Sequence, residues 1–277
     1  LAFNTAHKQL VMSKFSMNSK SFSGEGYKAV IYGSDEIWNY TNPLLGRDSF
    51  YFGSGMDSVR KIAYAPSCGN LPCDAIVPDD LVKGWQSFES ISVRDINSQQ
   101  ILSRFRQEIP PIVLDPTFLC DFSNEIRPCK ERDFVLVYTT GFKKGEEIAI
   151  RNFAEQQGKQ LISIGYRNTF CDKSVIGVSP FEFLGYYGAA DHVVTSMFHG
   201  TIFAIKARKN FAIMVDPYRT NKLAYVLEKL KIKDRVTDAA GLERVLSNLI
   251  DYDYIDNKLQ CEIQRSKEYL LDALSES

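Results

Sequence analysis

Residues Asp191–Val215 read DHVVTSMFHGTIFAIKARKNFAIMV, and this stretch decides the fold. His192–Thr195 is a short β-branched run and Ser196–Gly200 is turn material. Thr201–Ala207 has helical character, and Phe211–Val215 is a second apolar run of strand length. The order is strand, tight turn, helix, strand. It places Ser196, His199, Gly200 and Thr201 where a strand ends and a helix begins. Ligands of open parallel sheets bind at that edge. The amides and positive dipole of a helix N-terminus favour an anion there. Gly200 would allow close backbone approach, and His199 can move a proton near neutral pH. A buried histidine bonded to a loop carbonyl fits the same spacing, and spacing alone leaves the two readings even.

The same alternation extends outward in both directions. Lys28–Tyr32 (KAVIY), Lys61–Ala65 (KIAYA), Ser90–Val93 and Ile112–Leu114 read as strands. Leu81, Val82, Trp85 and Phe88 mark a helix over Asp80–Phe88, and Ile101, Leu102 and Phe105 mark another. Asp121–Asp133 is polar, contains Pro128 and reads as a linker. Beyond it, Phe134–Tyr138 and Leu161–Ile164 are strands around a helix over Gly145–Gln157, which Gly158 stops. Asn168–Val178 reads as a loop. Ser179-Pro180-Phe181-Glu182 has the form of a capping box opening a helix that runs to about Gly188. Apolar spacing marks three further helices, through Leu223–Leu230, Leu242–Leu249 and Ile255–Leu274. Val11–Phe22 fits a frayed helix or a loop.

Short continuous apolar strands alternating with helices predict an α/β fold with mostly parallel sheets covered on both faces. The two series predict two Rossmann-like domains, residues 1–125 and 126–277, with their strand ends on one cleft.

The 277 residues suffice for two ordinary domains, and the composition is that of a globular protein with a sizeable core. Net charge is −1 and no long basic run is present, which gives no reason to expect nucleic acid. Cys68, Cys73, Cys120, Cys129, Cys171 and Cys261 form no Cys-x-x-Cys pair and have no His at metal-ligand spacing. They read as reduced thiols of a cytoplasmic protein, with no metal site expected. No apolar run reaches membrane length. The first residue is Leu, so the expectation is a native start lying upstream.

Several strand ends carry polar groups: Ser34-Asp35, Ser67, Arg94, Asp115, Ser196 to His199, and Arg219. Asp35 and Glu36 could position a sugar hydroxyl, or Ser34 or Asp35 could simply cap the next turn. Arg94 and Arg219 are the best anion ligands, because a guanidinium grips carboxylate or phosphate with a planar fork. No dinucleotide fingerprint, P-loop, Gly-x-Ser-x-Gly elbow or His-Glu-x-x-His helix is present. What remains is a metal-independent transfer on an anionic small molecule, or a binding protein.

Blocks of this sequence resemble the polysaccharide pyruvyl transferase family. They are Tyr32–Asn39 (YGSDEIWN), Ile62–Ala65, Ile91–Asp95 (ISVRD), Leu114–Leu119 (LDPTFL) and Val193–Thr201 (VVTSMFHGT), joined by Ser179–Phe183 and Arg219. They fall in family order across roughly Tyr27–Leu230. The resemblance implies a fold similar to type B glycosyltransferases, with a final helix that crosses back to the first domain. It also implies a reaction in which phosphoenolpyruvate gives its carboxyvinyl carbon to two hydroxyls of a sugar, forming a cyclic pyruvate ketal and phosphate. No cofactor is implied beyond that donor. By this resemblance His199 is the general acid that protonates the methylene carbon, and Arg94 holds the donor's carboxylate or phosphate. Ser34, Asp35, Ser67, Ser196, Gly200, Thr201 and Arg219 line the substrates, and the helix beginning at Gly200 steadies the phosphate.

Two departures stand out. Characterised members carry Arg two residues before the histidine, where this chain has Met197, so one anion ligand is missing or comes from elsewhere, such as Arg219. The usual opening strand and Asn/Gly-bearing turn have no match in Leu1–Tyr27. The expected acceptor is a sugar of a surface polysaccharide or its precursor, and a lipid-linked acceptor would bring peripheral membrane association. Two rivals remain. One is a type B glycosyltransferase with a nucleotide-sugar donor, for which Asp216 is the available carboxylate. The other is a non-catalytic glycan-assembly protein.

Overall fold

The structure, a computed structural model, describes residues 26–43, 47–215 and 217–275, with side chains from 222 onward in the last span. The expected helix or loop at Val11–Phe22, all of Asp216 and the side chain of Arg219 lie outside the described residues. In chain order the strands are β1 (Ala29–Tyr32), β2 (Arg60–Ala63), β3 (Ser90–Ile91), β4 (Phe134–Tyr138), β5 (Gln160–Ile164), β6 (Lys173–Val175), β7 (His192–Thr195) and β8 (Asn210–Ile213). The helices are α1 (Asp79–Gln86), α2 (Ile96–Leu102), α3 (Lys144–Gln156), α4 (Pro180–Ala189), α5 (Phe198–Lys206), α6 (Pro217–Lys229), α7 (Leu242–Ser247) and α8 (Tyr252–Ser275). Every strand pair is parallel, in two sheets, as the alternating pattern predicts for an α/β fold.

The chain divides into two compact units. One holds β1–β3 up to Leu119, and Tyr218–Leu230 and the residues from Asp256 on group with it. The other holds Cys120–Pro217 and Lys231–Ile255.

In the first unit the sheet order is β1-β2-β3, and a lone parallel bridge from Val93 to Ile112 is all that forms of the strand expected at Ile112–Leu114. The chain turns there into a 3-10 turn at Pro116–Phe118, started by the proline. An aromatic cluster fills the core: the Trp85 ring lies 5.7 Å from Trp38 and 5.6 Å from Phe52, both fully buried. Such pairs contribute about 0.5–1.5 kcal/mol each beyond area burial. α1 comes close enough for this packing because Gly84 lacks a side chain; a Cβ there would sit 2.3 Å from the Phe52 carbonyl oxygen. The later part of α8 is tied in by hydrogen bonds. The Leu114 amide donates to Ser266 Oγ (2.9 Å), and Tyr269 Oη donates to the Ala63 carbonyl (3.1 Å).

In the second unit the order is β6-β5-β4-β7-β8. β4 is first in sequence and central in space. The sheet grows from it through β5 and β6 on one side, then returns to place β7 and β8 on the other. β6 falls inside the stretch read as a loop; it has three residues, exposed or half-buried, and no apolar run to mark it. The capping box at α4 forms as read, with the Glu182 amide donating to Ser179 Oγ (3.2 Å) and the Ser179 amide to Glu182 Oε2 (2.8 Å). The hydrogen bonds from Ser179 hold the Glu182 carboxyl below its ordinary range. At the start of β7, His192 stacks edge-on against Phe153 at 5.2 Å, and its Nδ1 is buried without a hydrogen-bond partner among the described residues. Burial, aided by nearby Lys159, lowers its pKa.

Gly84→Ala is expected to lower stability by about 1–3 kcal/mol through overpacking. Gly188→Ala in α4, where a Cβ meets nothing within 4 Å, should be neutral or slightly stabilising. Thermal melting of the two variants decides this. His192 gives a pH dependence of definite sign. Its folded pKa lies below the unfolded value of about 6.5, so the unfolded chain takes the proton first as pH falls, and stability is lost on acidification. The urea midpoint of His192→Phe should therefore fall less steeply than that of the wild type between about pH 7 and about pH 5. Parallel slopes would remove His192 as the cause.

Candidate functional site

Polar side chains of the second unit gather at the carboxyl ends of β4, β5 and β7. Thr195 Oγ1 donates to the Tyr138 carbonyl (2.7 Å) and accepts from the Met197 amide (3.0 Å), which fixes the turn out of β7. Ser196 Oγ and Thr139 Oγ1 share a 2.6 Å hydrogen bond across the ends of β7 and β4. Asn168 Nδ2 donates to the Thr139 carbonyl (3.2 Å) and to Ser163 Oγ (2.8 Å), binding in the loop after β5. β4 and β7 are the neighbours between which the strand order reverses, and a crevice outside such a reversal is where open α/β sheets hold ligands.

α5 begins at this point, two residues earlier than the Gly200 start expected from sequence. Met197 is its N-cap, and Thr201 N–H to Met197 O (3.1 Å) is an early helical bond. His199 thus stands in the first turn. It is half-buried, against Phe198 (5.2 Å between rings) and Phe203 (6.1 Å, stacked). Met197 makes no side-chain cap bond, in a position that usually carries Ser, Thr, Asp or Asn. Gly200 is dictated by packing: a Cβ would lie 2.1 Å from Thr195 Oγ1 and 2.9 Å from the Tyr138 ring. Thr201 is fully buried, and its hydroxyl turns back to the Met197 carbonyl at 3.4 Å. Of the four residues singled out in this turn, His199 is the one that combines reactive chemistry with partial exposure. Tyr138, its pKa raised by burial, and the exposed Tyr166 stand at the same edge with ring centres 5.9 Å apart. Thr139, Ser163 and Asn168 escape a sequence reading because single hydroxyls and amides after strands are common.

A second polar assembly belongs to the first unit, at the exits of β1 and β3. Gly33 has φ +135°, and a Cβ on it would meet the Tyr64 carbonyl oxygen at 2.0 Å, so the chain turns out of β1 only with glycine there. Ser34 and Asp35 follow. Arg94 lies at their centre with a side chain 3% exposed. Its Nη1 donates to Asp115 Oδ2 (3.0 Å), and its Nη2 to Asp35 Oδ1 (3.2 Å). The guanidinium that sequence reading offered as an open anion ligand is therefore already in contact with two carboxylates of its own chain. Ser34 Oγ also donates to Asp115 Oδ2 (3.2 Å), while Asp115 Oδ1 accepts from the Thr117 amide (3.1 Å) and hydroxyl (2.7 Å).

Ser67, fully buried, donates to Asp95 Oδ2 (2.6 Å), and Asp95 Oδ1 caps α2 through the Ser98 amide (2.7 Å). Ser67 and Asp95 thus brace the loop from within. Lys222 of α6 pairs with Glu36; burial lowers its pKa, and the Asp35 charge opposes that shift. Lys222 has no local sequence signature, since it occupies an ordinary polar position of an amphipathic helix. Among the described residues no three or more His, Cys, Asp or Glu side chains are grouped to hold a metal ion. No helix there is long and apolar enough to cross a membrane. The six cysteines are free.

Against known proteins, a family model described as Polysaccharide pyruvyl transferase matches residues 4–216. No curated protein sequence matches the chain. Among solved structures, the glycosyltransferase SnogD from Streptomyces nogalater is 11% identical over 84% of this chain and 60% of its own, with a TM-score of 0.38. Phytolacca americana UGT2, complexed with UDP-2fluoro-glucose and pterostilbene, is 12% identical over 90% of this chain and 75% of its own, with a TM-score of 0.42. The chain spans less than two thirds of the SnogD structure. The family match extends over well more than half of the sequence, and it includes the exits of β1, β3 and β7 at which both polar assemblies are built: the chain belongs to the polysaccharide pyruvyl transferase family.

Proposed function

We propose that this chain transfers pyruvate from phosphoenolpyruvate to a pair of sugar hydroxyls, forming a ketal on a surface polysaccharide or its precursor. The observation that carries the reading is His199 in the first turn of α5, beside the strand-order reversal between β4 and β7. A helix start is where an anion gains from backbone amides and dipole, and Met197 leaves the capping position without a side-chain oxygen. The donor's phosphate or carboxylate fits that position. His199 then lies within one helical turn of the donor and supplies the proton that its methylene carbon needs, which makes the adjacent carbon electrophilic. Ser196 and Thr139 hold the β7 and β4 exits together under the donor.

The reading predicts phosphate release from phosphoenolpyruvate that depends on a sugar acceptor, followed by phosphorus NMR, with a ketal methyl signal in the product. His199→Ala should keep its circular dichroism and melting temperature while turnover falls by about 10²- to 10⁴-fold. A variant that melts far below wild type would make His199 a packing residue instead.

Met197 bears on affinity. A charge-assisted hydrogen bond is worth roughly 1.5–3 kcal/mol, so an Arg at that position should tighten phosphoenolpyruvate by about ten- to a hundredfold. Titration calorimetry on wild type and Met197→Arg measures this. No heat with phosphoenolpyruvate in either protein, beside clear binding of a nucleotide sugar, would replace pyruvyl transfer with glycosyl transfer.

A further inference from the structure

We propose that a cavity between the segment 127–131 and α4 is a binding site for a small phosphate, held by Arg127 and Lys130. The inference does not depend on the transfer reading, and no residue of the cavity belongs to a strand exit. The cavity has a volume of about 220 Å³, with 127–131 as one wall and Val178, Glu182 and Tyr186 as the other. All of these residues lie in the second compact unit.

The walls are anchored. The Arg127 amide donates to the Phe181 carbonyl (3.1 Å). Gly185 lets the segment lie on α4, since a Cβ there would sit 1.9 Å from the Arg127 carbonyl oxygen. Further on, Arg132 Nη1 donates to the Cys129 carbonyl (2.7 Å), and the Glu131 amide donates to Cys129 Sγ (3.3 Å). The space is therefore bounded by backbone fixed in place, as a preformed ligand site requires.

The charges select an anion. The two acids of the cavity already have partners: Glu131 pairs with Lys173, and Glu182 Oε2 accepts from the Ser179 amide (2.8 Å). The side chains of Arg127 and Lys130 make no hydrogen bond or ion pair among the described residues. Hydrogen bonds from Ser179 do most to lower the Glu182 pKa, and the Arg127 charge adds to it, so the guanidinium stands on the side of the cavity. Arg127, Lys130 and Lys173 against Glu131 and Glu182 leave an excess of one positive charge. A guanidinium fork and an ammonium point charge together suit a phosphate dianion, where a single carboxylate would leave one cation unmatched. Burial raises the Tyr186 pKa, which keeps its hydroxyl a donor.

Size narrows the class. At about 30 Å³ per water the cavity has room for roughly seven, below the roughly 300–1,000 Å³ of sites for larger organic ligands. A phosphate on a body of a few carbons fits, with Pro128 and Val178 as an apolar wall, and a nucleotide sugar does not.

Free phosphate and a phosphate monoester share this chemistry, and titration calorimetry with inorganic phosphate and glycerol 3-phosphate separates them. A tighter ester assigns the site to organic phosphates, and equal affinities assign it to the free ion. Acetate, the control, should give no heat; acetate binding as tightly as phosphate would overturn the assignment. Arg127→Gln with Lys130→Gln should keep the melting temperature and weaken phosphate by at least about tenfold. Val178→Phe keeps both cations but fills the cavity, and should also abolish binding. Phosphate bound equally by wild type and the double variant sits elsewhere, for instance at the α5 turn, and that result would overturn the site. So would binding that survives Val178→Phe, which would put phosphate on the outer cations alone, or no binding to wild type at about 10 mM ligand.

Discussion

Parallel pairing is the constraint from which the rest of this structure follows. A parallel neighbour cannot be reached by a hairpin, so each strand is left at its carboxyl end and the next is entered from the opposite edge. With every strand pair parallel, the exits of each sheet collect along one edge. In the second unit this brings Thr139, the Asn168 loop and the Ser196–His199 turn together from points far apart in the chain. In the first it brings the exits of β1 and β3 to one guanidinium. Local polar chemistry at strand exits becomes a shared site only because the pairing is parallel.

The Arg94–Asp115 contact shows how that edge is made rigid. Two charges at 3% and 2% exposure are costly to desolvate, and such pairs are weak evidence for stability. Here Asp115 takes four donors on its two oxygens, and Arg94 reaches Asp35 with its second amino group. A network satisfied to this extent holds one geometry well. The same network places Arg94 against two carboxylates of its own chain, one buried and one facing outward.

The two glycines at these edges make a related point. Gly33 and Gly200 both sit in blocks that resemble the family, and Gly200 reads as a place where a ligand could approach the backbone. Each is instead filled by the protein's own atoms, the Tyr64 carbonyl in one case and Thr195 with Tyr138 in the other. That packing explains why a glycine stands in the first turn of α5. Glycine is a poor helix former, but a residue that must lie against Thr195 has no room for anything larger.

By itself the sequence determined the α/β class, the parallel sheets, the capping box at Ser179 and the strand–turn–helix around His199. Each of these is written in local periodicity or in turn chemistry within a few residues. β6 stayed hidden because three half-exposed residues carry no period, and the strand expected at Ile112–Leu114 shrank to one bridge because Pro116 turns the chain at once. Tertiary structure alone decided which polar residues are sealed inside and which are presented outward. Ser67 and Asp35 look equivalent in the sequence, yet one is sealed against Asp95 and the other projects a carboxylate oxygen. Lys222 reaches Glu36 across a separation that no local pattern records. Burial and ion pairing are set by contacts between distant segments, and these exist only once the sheets have brought their strand ends together.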